Sequence, residues 1–229
     1  MSGPGKLSVE PGSESVSAVF VGGDPVLVEG IDESLGVSTL HISADDVMSS
    51  GNILDHRINT GGFVWVHVVP SGIIRTSAVA EDADFGEASL LARSVSAARA
   101  TADRTGVPLT FVAILPTPGL LTSSLGQSCD LALSTMESLM RTEIGRWGNA
   151  NYRIVAIEHS GLEGYIPDGQ RPLDQILERT PMKVLGTFAQ LGDALRYVGS
   201  RRASYVTGTF LRVDGGWNAY SWMYPARTI

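Results

Sequence analysis

Six short runs of β-branched, aromatic and other apolar residues recur along the chain, with helical apolar spacing between most of them. This alternation limits the fold more than any other feature. The runs cover residues 18–21, which lead into Gly22-Gly23, then 37–42, 63–69 between Gly61-Gly62 and Pro70, 108–115, 152–157 and 209–213. Leu90, Leu91, Val95, Ala98 and Ala102 mark one face of a helix predicted over 84–105, which Gly106 would stop. Leu133, Met136, Leu139, Met140 and Ile144 do the same over 127–147, ahead of Gly148. Shorter helices are predicted over 172–179 and over 187–200, the latter with Leu191, Leu195 and Val198 inward. Ser43-Ala44-Asp45-Asp46 would cap one more, running through about residue 57. Strands alternating with helices give an α/β fold: a doubly wound parallel sheet with right-handed crossovers.

The chain has 229 residues, 43% of them hydrophobic and 18% charged, which suits one domain with a sizeable core. Nine of the first fifteen residues are Ser, Gly or Pro, so 1–15 reads as a flexible tail and 16–229 as the domain. No repeat or linker divides that domain. A net charge of −7 with 17 Lys and Arg spread thinly argues against a grip on nucleic acid. No apolar run approaches the ~20 residues a membrane span needs, and the amino terminus has no basic and apolar signal pattern. A soluble, cytoplasmic protein is therefore expected. The single cysteine, Cys129, excludes an intrachain disulfide, and His41, His56, His67 and His159 show no paired ligand spacing, so no metal is expected. His67, alone in an apolar strand, reads as a satisfied core or rim histidine.

Two segments near the carboxyl terminus resemble a known family. They are Arg179-Thr180-Pro181-Met182-Lys183-Val184-Leu185-Gly186-Thr187 and Tyr205-Val206-Thr207-Gly208-Thr209-Phe210-Leu211-Arg212-Val213-Asp214-Gly215-Gly216-Trp217. Together they are similar to the closing region of the short-chain dehydrogenases/reductases (SDRs). Residues 129–139 resemble that family's active-site helix and 153–157 the strand after it, and the likeness fades toward the amino terminus. The resemblance implies a Rossmann-like sheet.

It also shows what the chain lacks. The family's Tyr-x-x-x-Lys unit, a tyrosinate base activated by lysine, falls on Cys129 and Leu133. A leucine cannot supply the positive charge that lowers a neighbour's pKa. The serine thirteen residues before the tyrosine falls on Pro116, which has neither hydroxyl nor N–H. Thr117, Thr122, Ser123 and Ser124 offer hydroxyls nearby, but with no base beside them. The glycine-rich Thr-Gly-x-x-x-Gly-x-Gly turn is represented only by Val21-Gly22-Gly23-Asp24-Pro25. The later Asn-x-x-x-Pro-Gly falls on Val155 and His159-Ser160. Only forty residues separate Gly22 from Phe63, where two strands and three helices need roughly 55. The nucleotide-binding half is expected to be truncated, with no catalytic, cofactor-binding or metal residues.

What remains points to assembly. In the family, the helices matching 84–105 and 127–147 pair between subunits as a four-helix bundle, and the last strand with its preceding helix makes a second contact. The tail from Trp217 to Arg227 is dense in aromatics, a composition that marks interfaces. Leu139, Trp217, Tyr220, Trp222, Tyr224 and Arg227 are therefore the candidate interface residues. The resemblance implies a pseudoenzyme that pairs with a catalytically complete NAD(P)-dependent SDR in a hetero-oligomer such as a heterotetramer, with self-association also open. Inactive subunits of this kind have precedent in the family. The alternative is a repurposed enzyme or small-molecule-binding protein built around Cys129 and His159, which could form a Cys-His nucleophilic pair.

Overall fold

The computed structural model describes residues 17–22, 25–42, 62–68, 86–118, 120, 124–146, 151–165 and 171–219. All six predicted strands are present: β1 (Ala18–Val21), β2 (Thr39–Ile42), β3 (Phe63–Val68), β4 (Leu109–Pro116), β5 (Tyr152–His159) and β6 (Thr209–Val213). They form one sheet in the order β2-β1-β3-β4-β5-β6, and every pairing is parallel. A parallel sheet needs a crossover between neighbours, which is why helices intervene.

The helices are α1 (Pro25–Leu35), α2 (Gly86–Thr105), α3 (Ser124–Arg146), α4 (Leu173–Arg179) and α5 (Phe188–Gly199). The sequence reading did not single out α1, whose first residue is Pro25. Proline suits that position because its missing N–H would have had no partner within the helix. Gly106 ends α2 as expected, with φ +68 and its N–H on the Ala102 carbonyl. Thr187 caps α5 through a reciprocal pair with Gln190. The helix expected over 45–57 and the tail 1–15 lie outside the described residues.

Strand pleating divides the core into two layers. Val19, Val21, Phe63, Trp65, Phe111, Ala113, Leu115, Ile154 and Ala156 face α2 and α3. Phe20, Val66, Val68, Val112, Ile114, Val155 and Ile157 face α1 and α5. Glycines set the second layer's closeness: a Cβ on Gly30 would lie 2.7 Å from the Phe188 ring, and one on Gly192 would run into Ser34. On the first layer the buried Trp65 indole donates to Ser94 of α2 at 2.8 Å, and Arg99 bridges α2 to Glu143 of α3 at 3.4 Å.

In the standard doubly wound order a third strand lies beyond β2. Among the described residues the sheet ends at β2, and one helix and one strand lie between Gly22 and Phe63.

The resembling segments near the carboxyl terminus prove to be one packed unit. Gly215 and Gly216, at φ +57 and +91, lie against Thr180 and Pro181, where added Cβ atoms would sit 2.7 and 3.0 Å from those side chains. Met182 donates its N–H to the Gly215 carbonyl at 3.2 Å. Upstream, Thr207 accepts the Ile154 N–H and Gly208 donates to the Ile154 carbonyl, which starts β6 against β5. Gly208 has φ +67, and a side chain there would collide with Ile144 of α3.

Candidate functional site

In open α/β sheets, ligands bind beyond the carboxyl ends of the strands, so the chemistry is sought there. β4 ends at Pro116, in register with His159 of β5, and the next N–H, from Thr117, is spent on the His159 carbonyl at 2.7 Å. Where the family places a substrate-polarising hydroxyl, this strand end presents a buried pyrrolidine ring. Cys129 and Leu133 are one helical turn apart on α3. Leu133 is half-buried and packs on the core beneath α2 and α3. An apolar side chain thus takes the position of the cation.

Behind Pro116 lies a closed polar network that the sequence reading missed. Asn218 donates one amide group both to the Thr117 hydroxyl and to Glu158, the latter at 2.7 Å. Glu158, at 3% exposure, also accepts from Arg212 at 3.3 Å. Asp214 accepts the N–H groups of Gly216 and Asn218, each at 2.9 Å, which orients the turn carrying Asn218. Burial pushes the Glu158 carboxyl above its usual range, against the opposing pull of Arg212. The signals were an acidic residue closing an apolar strand and an amide following the Gly-Gly-Trp turn. Thr117 does lie at the strand end, but its hydroxyl is bound into this network.

Two imidazoles are buried in the sheet. His67, at the end of β3 in register with Val21, is fully buried, and neither ring nitrogen has a hydrogen-bond partner among the described residues. Burial lowers its pKa to about 3. It is a core histidine, as the sequence suggested, but without a hydrogen-bond partner among the described residues. His159 is 1% exposed rather than a surface loop residue. Its Nδ1 is 2.9 Å from the Ser160 carbonyl, its Nε2 has no partner, and burial lowers its pKa to about 4 despite that carbonyl. Pleat alternation along β5 places His159 on the side of α1 and α5, whereas α3, with Cys129, covers the other side. His159 and helix α3 therefore lie on opposite faces of the sheet.

Residues 23 and 24 of the β1–α1 turn lie outside the described residues, and the residues on either side of them depart from the family's glycine pattern. Gly22 has the positive φ (+68) of a tight turn, and a Cβ there would lie 3.3 Å from the Val68 carbonyl. The family's second and third glycines, however, fall on Val26 and Val28, in the first turn of α1. Val26 is 52% exposed, so its isopropyl group stands where a diphosphate would need bare backbone, and Pro25 offers no N–H.

Of the candidate interface residues, Tyr220, Trp222, Tyr224 and Arg227 lie outside the described residues. Trp217 is buried in the chain's own core, its indole donating to the Pro118 carbonyl at 3.1 Å and the Arg179 guanidinium stacked 4.5 Å from its ring centre. It is spent on intrachain packing, because the Gly215-Gly216 turn folds it back under β4. Leu139 is half-buried against the α2/α3 layer. The apolar stripes of both long helices are largely consumed by the sheet, and their outward faces carry Ser89, Arg93, Ser96, Ser138 and Arg141. Larger exposed apolar side chains lie elsewhere: Tyr205 at 101%, Met182 at 64% and Val184 at 57%. Among the described residues, no cluster of His, Cys, Asp or Glu could hold a metal, and no helix is long and apolar enough to cross a membrane.

The ligand-free aldohexose dehydrogenase of Thermoplasma acidophilum superposes with a TM-score of 0.65 at 15% identity, over 92% of this chain and 97% of that one. A short-chain dehydrogenase/reductase of the glucose/ribitol dehydrogenase type from Brucella melitensis gives 0.64 at 17%, over 91% and 98%. The fold is that of the SDRs. In sequence, the chain is 26% identical over 185 residues to an uncharacterized short-chain type dehydrogenase/reductase of Sinorhizobium fredii, covering 76% of this chain and 33% of that protein. It is 44% identical over 46 residues to the 2-(R)-hydroxypropyl-CoM dehydrogenase of Xanthobacter autotrophicus, covering 20% of this chain and 18% of that protein. The chain thus spans about a third of the length of the first of these relatives, and the match to the second spans under a fifth. No family model matches it.

Proposed function

We propose that this chain is a non-catalytic member of the SDR family that assembles with a complete NAD(P)-dependent SDR and supports that partner's alcohol or ketone oxidoreduction. The observation that carries the reading is the combination of Pro116 and Leu133: a proline stands where the family has its serine, and a leucine where it has its lysine. Hydride transfer to or from a carbonyl carbon requires a proton to move at its oxygen, and neither Pro116 nor Leu133 can move it. Valines in the first turn of α1 argue independently against a bound dinucleotide.

The assembly half of the proposal draws on a different region. β6 is an edge strand of the described sheet, and the apolar side chains of Tyr205, Met182 and Val184 lie on segments beside it. An uncovered edge with apolar neighbours is the kind of surface a second subunit covers. The aromatic segment 220–227 follows the same region in sequence.

The test is co-expression with an intact SDR encoded nearby, followed by affinity capture and measurement of the partner's kcat with and without this chain. The expected result is a stable complex whose turnover exceeds that of the partner alone. Turnover of NAD(H) with an alcohol or ketone by the isolated chain would overturn the reading. The thiol–imidazole alternative requires an activity that Cys129→Ser abolishes.

A further inference from the structure

The opposite end of the sheet holds a cleft that the proposed function does not use. It opens beneath the amino ends of β1, β3, β4 and β5, has a volume of about 390 Å³, and has a largely apolar lining that includes Val37, Phe63 and Leu109. Among the described residues its charged lining residues are Arg153, Arg196 and Arg201, and no carboxylate lines it.

The three arginines differ in what they face. Arg196 is compensated: it pairs with Asp193 and donates to the Ser34 carbonyl near the end of α1. Arg153 is half-buried and bonds only neutral acceptors, namely the Thr110 hydroxyl at 2.7 Å and the carbonyls of Ala203, Ser200 and Val206. Burial lowers its pKa, and the one titratable group acting on it is the Tyr197 phenol. Cations taken out of water are ordinarily paired with an anion, and Arg153 has none among the described residues. The carboxyl ends of α1 and α5 offset only part of its charge. Arg201, at the start of a 3-10 turn (Arg201–Ala203), is exposed, and its side chain makes no hydrogen bond or ion pair among the described residues. Ser204, also exposed, lies beside it on the cleft wall.

We propose that this cleft binds a small organic carboxylate with an apolar body. The carboxylate lies against Arg201 in the uncompensated field of Arg153, and the body covers the apolar floor at the strand ends. The volume falls within the range of small-molecule sites, and a few convergent polar groups over an apolar lining is their usual make-up.

Hexanoate is the probe and hexanamide its uncharged control, each titrated against the full chain by calorimetry and thermal shift. Hexanoate should bind saturably with a Kd near or below ~1 mM, as befits so few atoms, and should raise Tm, while hexanamide binds at least tenfold more weakly. Arg201→Gln, a surface change that removes no intrachain bond, should leave the ligand-free Tm unchanged and weaken hexanoate at least tenfold. Arg153 ties β5 to the 3-10 turn and its loss could unfold the chain, so the test does not depend on it. Equal binding of acid and amide, undiminished binding by the Arg201→Gln protein, or no saturable binding of hexanoate would each overturn the proposal.

Discussion

The two ends of the sheet have opposite characters. At the carboxyl end, where doubly wound folds hold their ligands, polar groups turn inward: Asn218 joins Thr117 to Glu158, Arg212 neutralises Glu158, and Pro116 and Leu133 stand at the reactive positions. At the amino end, which folds of this class leave to structural duty, a cleft keeps an unpaired cation. The contrast teaches that a family's fold can persist while its usual ligand end is converted into a packed, hydrogen-bonded support. Side-chain satisfaction, more than topology, tells the two ends apart.

The largest expected effect tests whether the carboxyl end is such a support. Trp217→Ala should destabilise the isolated chain by about 3–5 kcal/mol, because it opens a cavity in a closed core and strands the Pro118 carbonyl. Chemical denaturation measures this. A Trp217→Ala chain with unchanged stability but impaired assembly would return the indole to an interface role.

Acid should come next. His67 and His159 titrate at about 3 and 4 when folded, below the unfolded value near 6.5. The unfolded state therefore takes up protons first as the pH drops. The stability these groups contribute is complete above pH 6.5 and is lost on acidification, at up to about 1.4 kcal/mol per pH unit for each histidine. Both act down to about pH 4, and only His67 below it. Glu158 works in the opposite sense: its raised folded pKa makes the native state gain stability as it protonates. Denaturation midpoints between pH 7 and 4 should show the net slope, and His67→Phe should remove one histidine's share. An unchanged slope in that variant would mean that His67 is not buried neutral.

Asn218→Ala should cost about 1–3 kcal/mol, since it leaves Thr117 and Glu158 without their shared donor. A near-zero loss would indicate that water replaces the amide and that this end is more open than its packing suggests. The smallest effect is expected from restoring the family's residues. A Pro116→Ser, Cys129→Tyr, Leu133→Lys chain should show no NAD(H)-dependent turnover, because Val26 and Val28 still occupy the diphosphate's approach. Measurable reductase activity in that triple variant would show that the cofactor turn is intact in function.

The strand–helix alternation was legible because each buried strand needs a continuous apolar run and each covering helix an apolar stripe, and both are local patterns. The family motifs near the carboxyl terminus could also be read, since glycines 208, 215 and 216 answer local backbone demands. Helix α1 was not legible, because a proline, a glycine and three β-branched residues among its eleven give it weak intrinsic helix propensity. The Thr117–Asn218–Glu158 network could not be read at all: its members lie 41 to 101 residues apart and meet only where three strands end side by side.

The sequence by itself determined the parallel α/β architecture, for it follows from which residue type stands at which position. Only the tertiary structure decided that Trp217 belongs to the core, that His159 and α3 lie on opposite faces of the sheet, and that Arg153 has no countercharge. Burial and pairing depend on neighbours distant in the chain, and a side chain's type does not specify what will fold against it.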